Sequence, residues 1–486
     1  MLELRIVSVG CCDSHAKFPL LFCQDNLNGW CRYDGQNNLP DGTVFSFYIL
    51  STTIFYPTQT LNAFGSDFHF ADLVSSKPLD HRMPAPRIFM YCNSTRGMGR
   101  TARTLGIAAS LSEALGQSSI LVLTDLAMVG RFKLPERVDY VHLPALADST
   151  TNSPKYGLRL ERSNILRIRY KIATSTLKAF RPNLVWLDDS LLNLPEEMHN
   201  ILLALAEELP ETKILWGFSD TLGHPDFVLR QWAGMNAGEV FNRFADVIFI
   251  LGTQRCFDAA KAYRMPEALA HKLFYTGYLS TREQPPKRIG EKLVKAGRRL
   301  PLVLLTTEGG REDFAFVDAY LRFLESTRME VYSLIVAGLG LSSAAKSNLV
   351  RRAQALPRVI FKRFSKHLLS YVKAADAVIC TGEYNLTSEV LAHRKAALLV
   401  PHASEQPDNF HRAQWLQERG LVCVSARESL QPETLEEFLA KSLFGGPRLV
   451  PKKQYEEISF DGFTQITESI QELLGYSRQF EAIAAS

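Results

Sequence analysis

The chain has 486 residues, 46% of them apolar and 22% charged, and a formal charge of +4 from 55 Lys+Arg against 51 Asp+Glu. At roughly 100–200 residues per domain this predicts two to four domains, and it excludes a wholly disordered, collagenous or coiled-coil chain. No apolar run approaches the roughly 18–20 residues of a spanning helix, and so small a net charge gives no independent sign of nucleic acid.

The first 82 residues differ from the rest. They begin Met1-Leu-Glu-Leu-Arg5, without the basic start and continuous apolar core of a secretory leader. They carry 5 Lys+Arg and 8 Asp+Glu, hold Cys11, Cys12, Cys23 and Cys31, and show no sustained helical period. Residues 46–56 read as a strand or two. At Met83 the text changes to Met-Pro-Ala-Pro-Arg, then a strand, then a glycine loop. Met83 is therefore expected to be the natural start, with 1–82 a translated upstream stretch, poorly structured for want of a periodic apolar pattern. The rival reading is a small accessory domain.

From residue 87 onward, short β-branched runs alternate with helical stretches, which predicts α/β with parallel sheets. The first series places strands at 87–92, 120–124, 138–142, 184–188, 213–217 and 247–251, with helices at 101–116, 161–180, 195–208, 225–244 and 254–263. The second places strands at 302–306, 331–337, 359–361, 377–380, 396–400 and 421–424. Its helices fall at 312–326, 342–355, 366–374, 386–393, 408–419 and 433–443. Between the series, 280–299 carries Pro285, Pro286 and many charges and reads as a linker. The expected organisation is two doubly wound, Rossmann-like domains, 83–279 and 300–445, followed by a tail, 446–486, with a helix at 460–474 packing back on the first domain. Ligands in such folds bind at the carboxyl ends of the strands, here between the domains. Cys92, Cys256, Cys380 and Cys423 are scattered, three of them in or beside strand-like runs. They read as small buried hydrophobes in a reducing, cytoplasmic setting, and no paired CxxC zinc pattern is present.

Three strand-to-helix loops carry chemistry. The first, Asn93 to Ala102, contains Gly97 and Gly99, which let backbone N–H groups approach an anion at a helix N-terminus. Gly97-x-Gly99-x-x-Ala102 also fits a dinucleotide fingerprint, with Asp125 ending the next strand, but four residues separate Gly97 from the strand end at Cys92, too many for that motif. The second, Thr306 to Arg311, holds Gly309 and Gly310. The third runs Thr381-Gly382-Glu383-Tyr384-Asn385-Leu386-Thr387-Ser388-Glu389. Gly382 ends a strand, and Asn385 is expected to cap the helix. Thr387 and Ser388 would then hold a phosphate in the first turn, and Glu389 would accept two vicinal ribose hydroxyls. The alternative is a capping box with no ligand.

Pattern and chain order over about Pro86 to Leu443 resemble the GT-B glycosyltransferases, in particular a bacterial group related to glycosyltransferase family 28, which includes the lipid II N-acetylglucosaminyltransferase. The features that carry the likeness are Gly97-Met98-Gly99-Arg100, Gly382-Glu383-Tyr384-Asn385 followed by Glu389, Leu399-Val400-Pro401 followed by Asp408-Asn409 and Arg412-Ala413, and Tyr275-Thr-Gly-Tyr278 at the crossing between domains. The resemblance implies a nucleotide-sugar donor, expected to be a UDP-sugar, with Glu389 on the ribose. Gly382, Asn385, Thr387 and Ser388 would face the diphosphate from one domain, Gly97 and Gly99 from the other, with Gly309 and Gly310 beside them. Asp408 and Asn409 would touch the sugar. No cofactor and no metal is implied, since helix dipoles and N–H groups can stabilise the leaving diphosphate.

Two departures matter. Arg100 stands where the group has His, and arginine stays protonated and suits a phosphate clamp rather than a base. Phe218-Ser219-Asp220 keeps only the Asp of an Arg-Asp pair, which leaves Asp220 as the expected catalytic base, with Asp188 and Asp189 ranked below it. A cap or turn role for Asp220 is equally open. The basic stretch 155–171, with Lys155, Arg159, Arg162, Arg167, Arg169 and Lys171 beside an Ile165, Ile168 and Ile172 stripe, allows peripheral contact with a membrane bearing a lipid-linked acceptor; a solvated helix face is the plainer reading. The leading expectation is an inverting, metal-independent glycosyltransferase. The alternatives are a GT-B epimerase or hydrolase, and a nucleotide-sugar-binding protein that has lost catalysis.

Overall fold

The computed structural model describes residues 4–11, 14–23, 85–93, 98–146, 158–188, 196–280, 294–295, 298–307, 313–338, 341–365, 367–402, 407–445 and 452–476. The expectations for 46–56, Lys155, Asp189, Gly97, Gly309 and Gly310 lie outside them. The chain divides into two compact units, Met1–His81 and Arg82–Ser486. In the first, strands β1 (Leu4–Cys11) and β2 (Ser14–Cys23) pair as an antiparallel hairpin. The sequence reading assigned no strand there.

The second unit holds two parallel sheets. The first is built from β3 (Arg87–Cys92), β4 (Ser119–Thr124), β5 (Val138–His142), β6 (Leu184–Asp188), β7 (Lys213–Ser219), β8 (Val247–Leu251) and β9 (Leu273–Tyr275), in the order β5-β4-β3-β6-β7-β8-β9. Its helices longer than one turn are α1 (Gly99–Ala114), α2 (Arg162–Phe180), α3 (Glu196–Glu208), α4 (Pro225–Met235) and α5 (Ala237–Phe244). A two-residue ladder, β10 (Val294–Lys295) with β11 (Arg298–Arg299), precedes the second sheet. That sheet comprises β12 (Leu302–Thr306), β13 (Tyr332–Val336), β14 (Val359–Lys362), β15 (Ala377–Cys380), β16 (Ala396–Leu399) and β17 (Cys423–Val424), in the order β14-β13-β12-β15-β16-β17. Its helices are α6 (Asp313–Ser326), α7 (Ser343–Ala355), α8 (Leu368–Ala374), α9 (Tyr384–Ala392), α10 (Pro407–Glu418) and α11 (Pro432–Phe444), and the chain closes on α12 (Gly462–Leu473).

Both sheets are doubly wound and bear helices on both faces, which is why the central strands read as unbroken apolar runs: β6, β12 and β15 are buried at every position. Each strand order reverses beside its first strand, between β3 and β6 in one sheet and between β12 and β15 in the other. Ligand sites of such folds lie at that reversal. Here α1 starts from β3 and α9 starts just after β15, so both helices present their N-termini there.

Three helix expectations change. The single helix over 225–244 breaks at Asn236, which takes φ +48 and caps α4 before α5 begins. The helix over 254–263 shrinks to Ala259–Ala262. The third-loop helix starts at Tyr384, two residues early. As expected, the C-terminal helix packs back on the first sheet's helices: the Ser110 and Thr467 hydroxyls share a 2.8 Å hydrogen bond between α1 and α12. Cys92, Cys256 and Cys380 are buried.

Candidate functional site

The two sheets meet through the chain that crosses between them. Tyr278 and Leu279 are buried in the crossing. The Leu279 N–H donates to Tyr384 Oη at 3.1 Å, and Ser388 Oγ donates to the Leu279 carbonyl. The Tyr278 and Tyr384 rings stack at 6.0 Å and 14°. Arg103 of α1 and Arg412 of α10 lie over the Tyr384 ring at 5.2 and 5.8 Å. Tyr384 is thus gripped by cations from both halves of the molecule.

Gly382 sits at φ +84, a conformation that a side chain adopts only with strain, and it turns the chain from β15 into α9. The cap of α9 is Glu383, which corrects the expectation for Asn385. Glu383 Oε2 accepts the Leu386 N–H at 3.2 Å. Asn385 lies inside the first turn, and its Nδ2 donates to Glu383 Oε1 at 2.7 Å and to the Gly99 carbonyl at 2.8 Å. A Cβ on Gly99 would come within 2.3 Å of Glu383 Oε1, so a larger residue there would require the Glu383 carboxylate to shift. Burial holds the Glu383 carboxyl above its usual pKa, against the pull of hydrogen bonds at Asn385 and Leu386 and of the Arg103 and Arg412 charges.

With the helix starting at Tyr384, Thr387 and Ser388 no longer supply the first-turn donors. The Thr387 N–H is already bonded to the Glu383 carbonyl, and the Thr387 Oγ is buried without a hydrogen-bond partner. The Ser388 hydroxyl belongs to the crossing. Of the first-turn N–H groups, those of Asn385 and Leu386 already serve the Glu383 carboxylate, which leaves the Tyr384 N–H for an incoming anion while that carboxylate stays in place. Glu389 is 1% exposed, accepts from Ser280 Oγ at 3.2 Å and stands 3.3 Å from His393 Nε2. A crevice of about 290 Å³ opens beside this pair, lined by Ser280, His393, Phe460, Asp461 and Phe463 among others.

Asp220 ends β7 as expected, but its carboxylate is engaged on every side. Oδ1 accepts from Arg412 Nε at 2.7 Å and from the Thr221 N–H at 2.9 Å, and Oδ2 accepts from Tyr278 Oη at 2.8 Å. The Asp220 and Arg412 side chains are 1% and 0% exposed. Burial opposes the charge of Arg412, and Asp220 and Asp408 outweigh it, so the guanidinium stays more firmly protonated than usual. Burial, with Asp220 adding to it, raises the Tyr278 pKa well above the ordinary phenol value and keeps it a donor. Through these bonds Asp220 ties the two halves of the site together. Arg412 also donates from Nη1 to the Gly382 carbonyl at 3.1 Å and to Asn409 Oδ1 at 2.9 Å, and its Nη2 lies 3.8 Å from Asp408. One buried arginine therefore gathers Asp220, Gly382, Asp408 and Asn409. The sequence reading used Arg412 only as a mark of likeness.

Asp188 has a similar fate. Both its oxygens are held by Arg103, and Thr104 Oγ donates to it at 2.7 Å. Arg100 is half-buried in the first turn of α1. The basic stretch loses Arg169, which is fully buried and bonded to the Pro144 carbonyl at 2.7 Å. Arg159, Arg162 and Arg167 remain exposed, next to exposed Leu158 and Leu160. A histidine pair also escaped sequence reading: His224 at the cap of α4 and His411 of α10 stand edge to face at 5.6 Å. Burial, then the charges of His224 and Arg412, lower the His411 pKa to about 4.

Residues 315–468 match the glycosyltransferase family 28 C-terminal domain. That match covers this part of the chain alone, and the chain as a whole has the GT-B fold. It is similar to the calicheamicin glycosyltransferase CalG4, at 15% identity and a TM-score of 0.54, over 81% of this chain and 99% of that one. It is also similar to the glycosyltransferase SnogD from Streptomyces nogalater, at 16% identity and a TM-score of 0.51, over 80% and 100%. A putative UDP-N-acetylglucosamine 2-epimerase from Listeria monocytogenes shares the fold at 13% identity and a TM-score of 0.51, over 80% and 96%. Identities this low speak for the fold alone. No curated protein sequence matches the chain. Among the described residues no helix is long and apolar enough to cross a membrane.

Proposed function

We propose that this protein is an inverting, metal-independent glycosyltransferase that moves a sugar from a nucleoside-diphosphate sugar, with a UDP-sugar as the expected donor, to an acceptor hydroxyl. The observation that supports this reading best is the family 28 C-terminal domain, whose α9 opens where the strand order reverses. In this reading Glu389 takes the ribose hydroxyls. The Tyr384 N–H faces the diphosphate from one side, and Gly97, Gly99 and Arg100 face it from the other. Gly309 and Gly310 adjoin the same seat, and Asp408 and Asn409 meet the sugar. The acceptor oxygen attacks the anomeric carbon, its proton passes to a base on the acceptor side, and the bond to the diphosphate breaks. Negative charge grows on the leaving phosphate between two helix N-termini, which favour it. Asp220 acts through Arg412 as a positioning residue.

An epimerase shares the fold and also takes a nucleotide-sugar, but it needs no acceptor. Incubation with a panel of nucleotide-sugars, with and without candidate hydroxyl acceptors, separates the readings: nucleoside diphosphate released only when acceptor is present supports transfer. Release or epimerised donor without acceptor supports the rival. Peripheral contact with a membrane is a further part of the proposal, supported by the exposed Leu158 and Leu160 beside Arg159, Arg162 and Arg167, with a solvated helix face as the plainer alternative.

A further inference from the structure

We propose that Glu383 is an internal stand-in for the donor's phosphate, seated between the N-termini of α1 and α9, so that the donor binds only when this carboxylate swings out. The inference rests on the donor reading above and deepens it. Its first ground is position. The Glu383 carboxylate accepts the first-turn N–H of Leu386 and the Asn385 amide, and it lies against Gly99 at the start of α1. Two helices of 9 and 16 residues thus turn their positive ends on one carboxylate. That is the arrangement by which such folds hold a phosphate.

The second ground is the surroundings. The charges of Arg103 and Arg412 both act on Glu383. Arg412 is fully buried, bonds the carbonyl of Gly382 next to Glu383, and keeps Nη2 without a hydrogen-bond partner, with Asp408 at 3.8 Å. The seat therefore lies in the field of two buried guanidinium groups, one of which keeps an unbonded Nη2. The third ground is the chemistry of the carboxylate. It is a monoanion with two oxygens, where a diphosphate would bring more charge and more acceptors. Occupancy by its own side chain scales the apparent donor affinity down to the intrinsic affinity multiplied by the fraction of molecules in which the seat is vacant.

The test uses the full chain with Glu383→Ser and Glu383→Gln. Serine retains a capping oxygen but is too short to reach the seat, and glutamine keeps the size without the charge. Folding is checked by circular dichroism and melting. Calorimetric titration with nucleoside diphosphates and with inorganic pyrophosphate is expected to show binding at least about tenfold tighter in Glu383→Ser than in the parent, with Glu383→Gln between them. Equal or weaker binding in both folded variants overturns the inference and leaves Glu383 as a plain cap or a donor ligand. Pyrophosphate bound more tightly by Glu383→Ser while no nucleotide binds any form upholds the inference and sinks the donor reading. Failure of Glu383→Ser to bind either probe overturns the inference.

Discussion

Removing one partner of the Asp220–Arg412 pair should unsettle the whole junction between the two sheets. Both side chains are at most 1% exposed, and Asp220→Ala would leave a buried guanidinium facing Tyr278, with no carboxylate at Nε and only the more distant Asp408 in compensation. Breaking such a pair costs about 3–5 kcal/mol, because the remaining charge stays desolvated. For a domain-sized cooperative unit each kcal/mol lowers Tm by about 2–4 °C, so a fall of at least about 6 °C is expected by scanning calorimetry. Arg412→Ala should cost as much or more, since it also strips Gly382 and Asn409 of a donor. The double variant should lose far less than the sum, giving a coupling energy of about 2 kcal/mol or more. Asp220→Asn keeps the shape and one acceptor oxygen, and should fall between the parent and Asp220→Ala. If Asp220 were a free base, Asp220→Asn would abolish turnover while Tm moved by no more than about 1 °C, and the two alanine variants would be additive. That outcome would refute the reasoning.

His411 gives a pH prediction. Its folded pKa of about 4 lies below the unfolded value near 6.5, so the unfolded chain binds the extra proton first. The stability it contributes is complete above about pH 6.5 and is lost as the pH falls toward 4, by about 1–2 kcal/mol once screening at the half-buried ring is allowed for. His411→Phe should flatten that part of the Tm-against-pH curve, and an unchanged curve would count against it. The exposed basic face gives another. Wild-type protein should sediment with vesicles containing anionic lipid, and replacing Arg159, Arg162 and Arg167 with glutamate should abolish this, at about 1 kcal/mol per charge near the surface. Failure of the wild type to sediment would remove the case for peripheral contact with a membrane.

Much of the fold was legible because short unbroken apolar runs alternate with stretches of helical period along the chain. Strands such as Arg87–Cys92 and Leu302–Thr306 lie where their apolar runs predict. The three-residue β9 is too short to show a period, and the break at Asn236 depends on one residue entering the left-handed region. At the site, strand ends and glycine turns could be read, but partners could not. Asp188 meets Arg103 across 85 positions and Asp220 meets Arg412 across 192, so no local pattern marks either carboxylate as occupied. Glu383 did leave a local signal, a carboxylate three residues before the Leu386 N–H that it caps, which the attention given to Asn385 hid.

The central claim is that α9 forms the donor's nucleotide site with Glu389 on the ribose. Titration of the parent and of Glu389→Ala with a panel of nucleoside diphosphates, carried to millimolar concentration, tests it most directly. The account predicts saturable binding of at least one nucleoside diphosphate, weakened at least about tenfold in folded Glu389→Ala, as expected for losing charge-assisted hydrogen bonds of about 1.5–3 kcal/mol each. It also predicts that a 2′-deoxyribose analogue is penalised less by the variant than by the parent. Equal affinity in the two proteins, with Glu389 left to its bond with Ser280 and its neighbour His393, would contradict it.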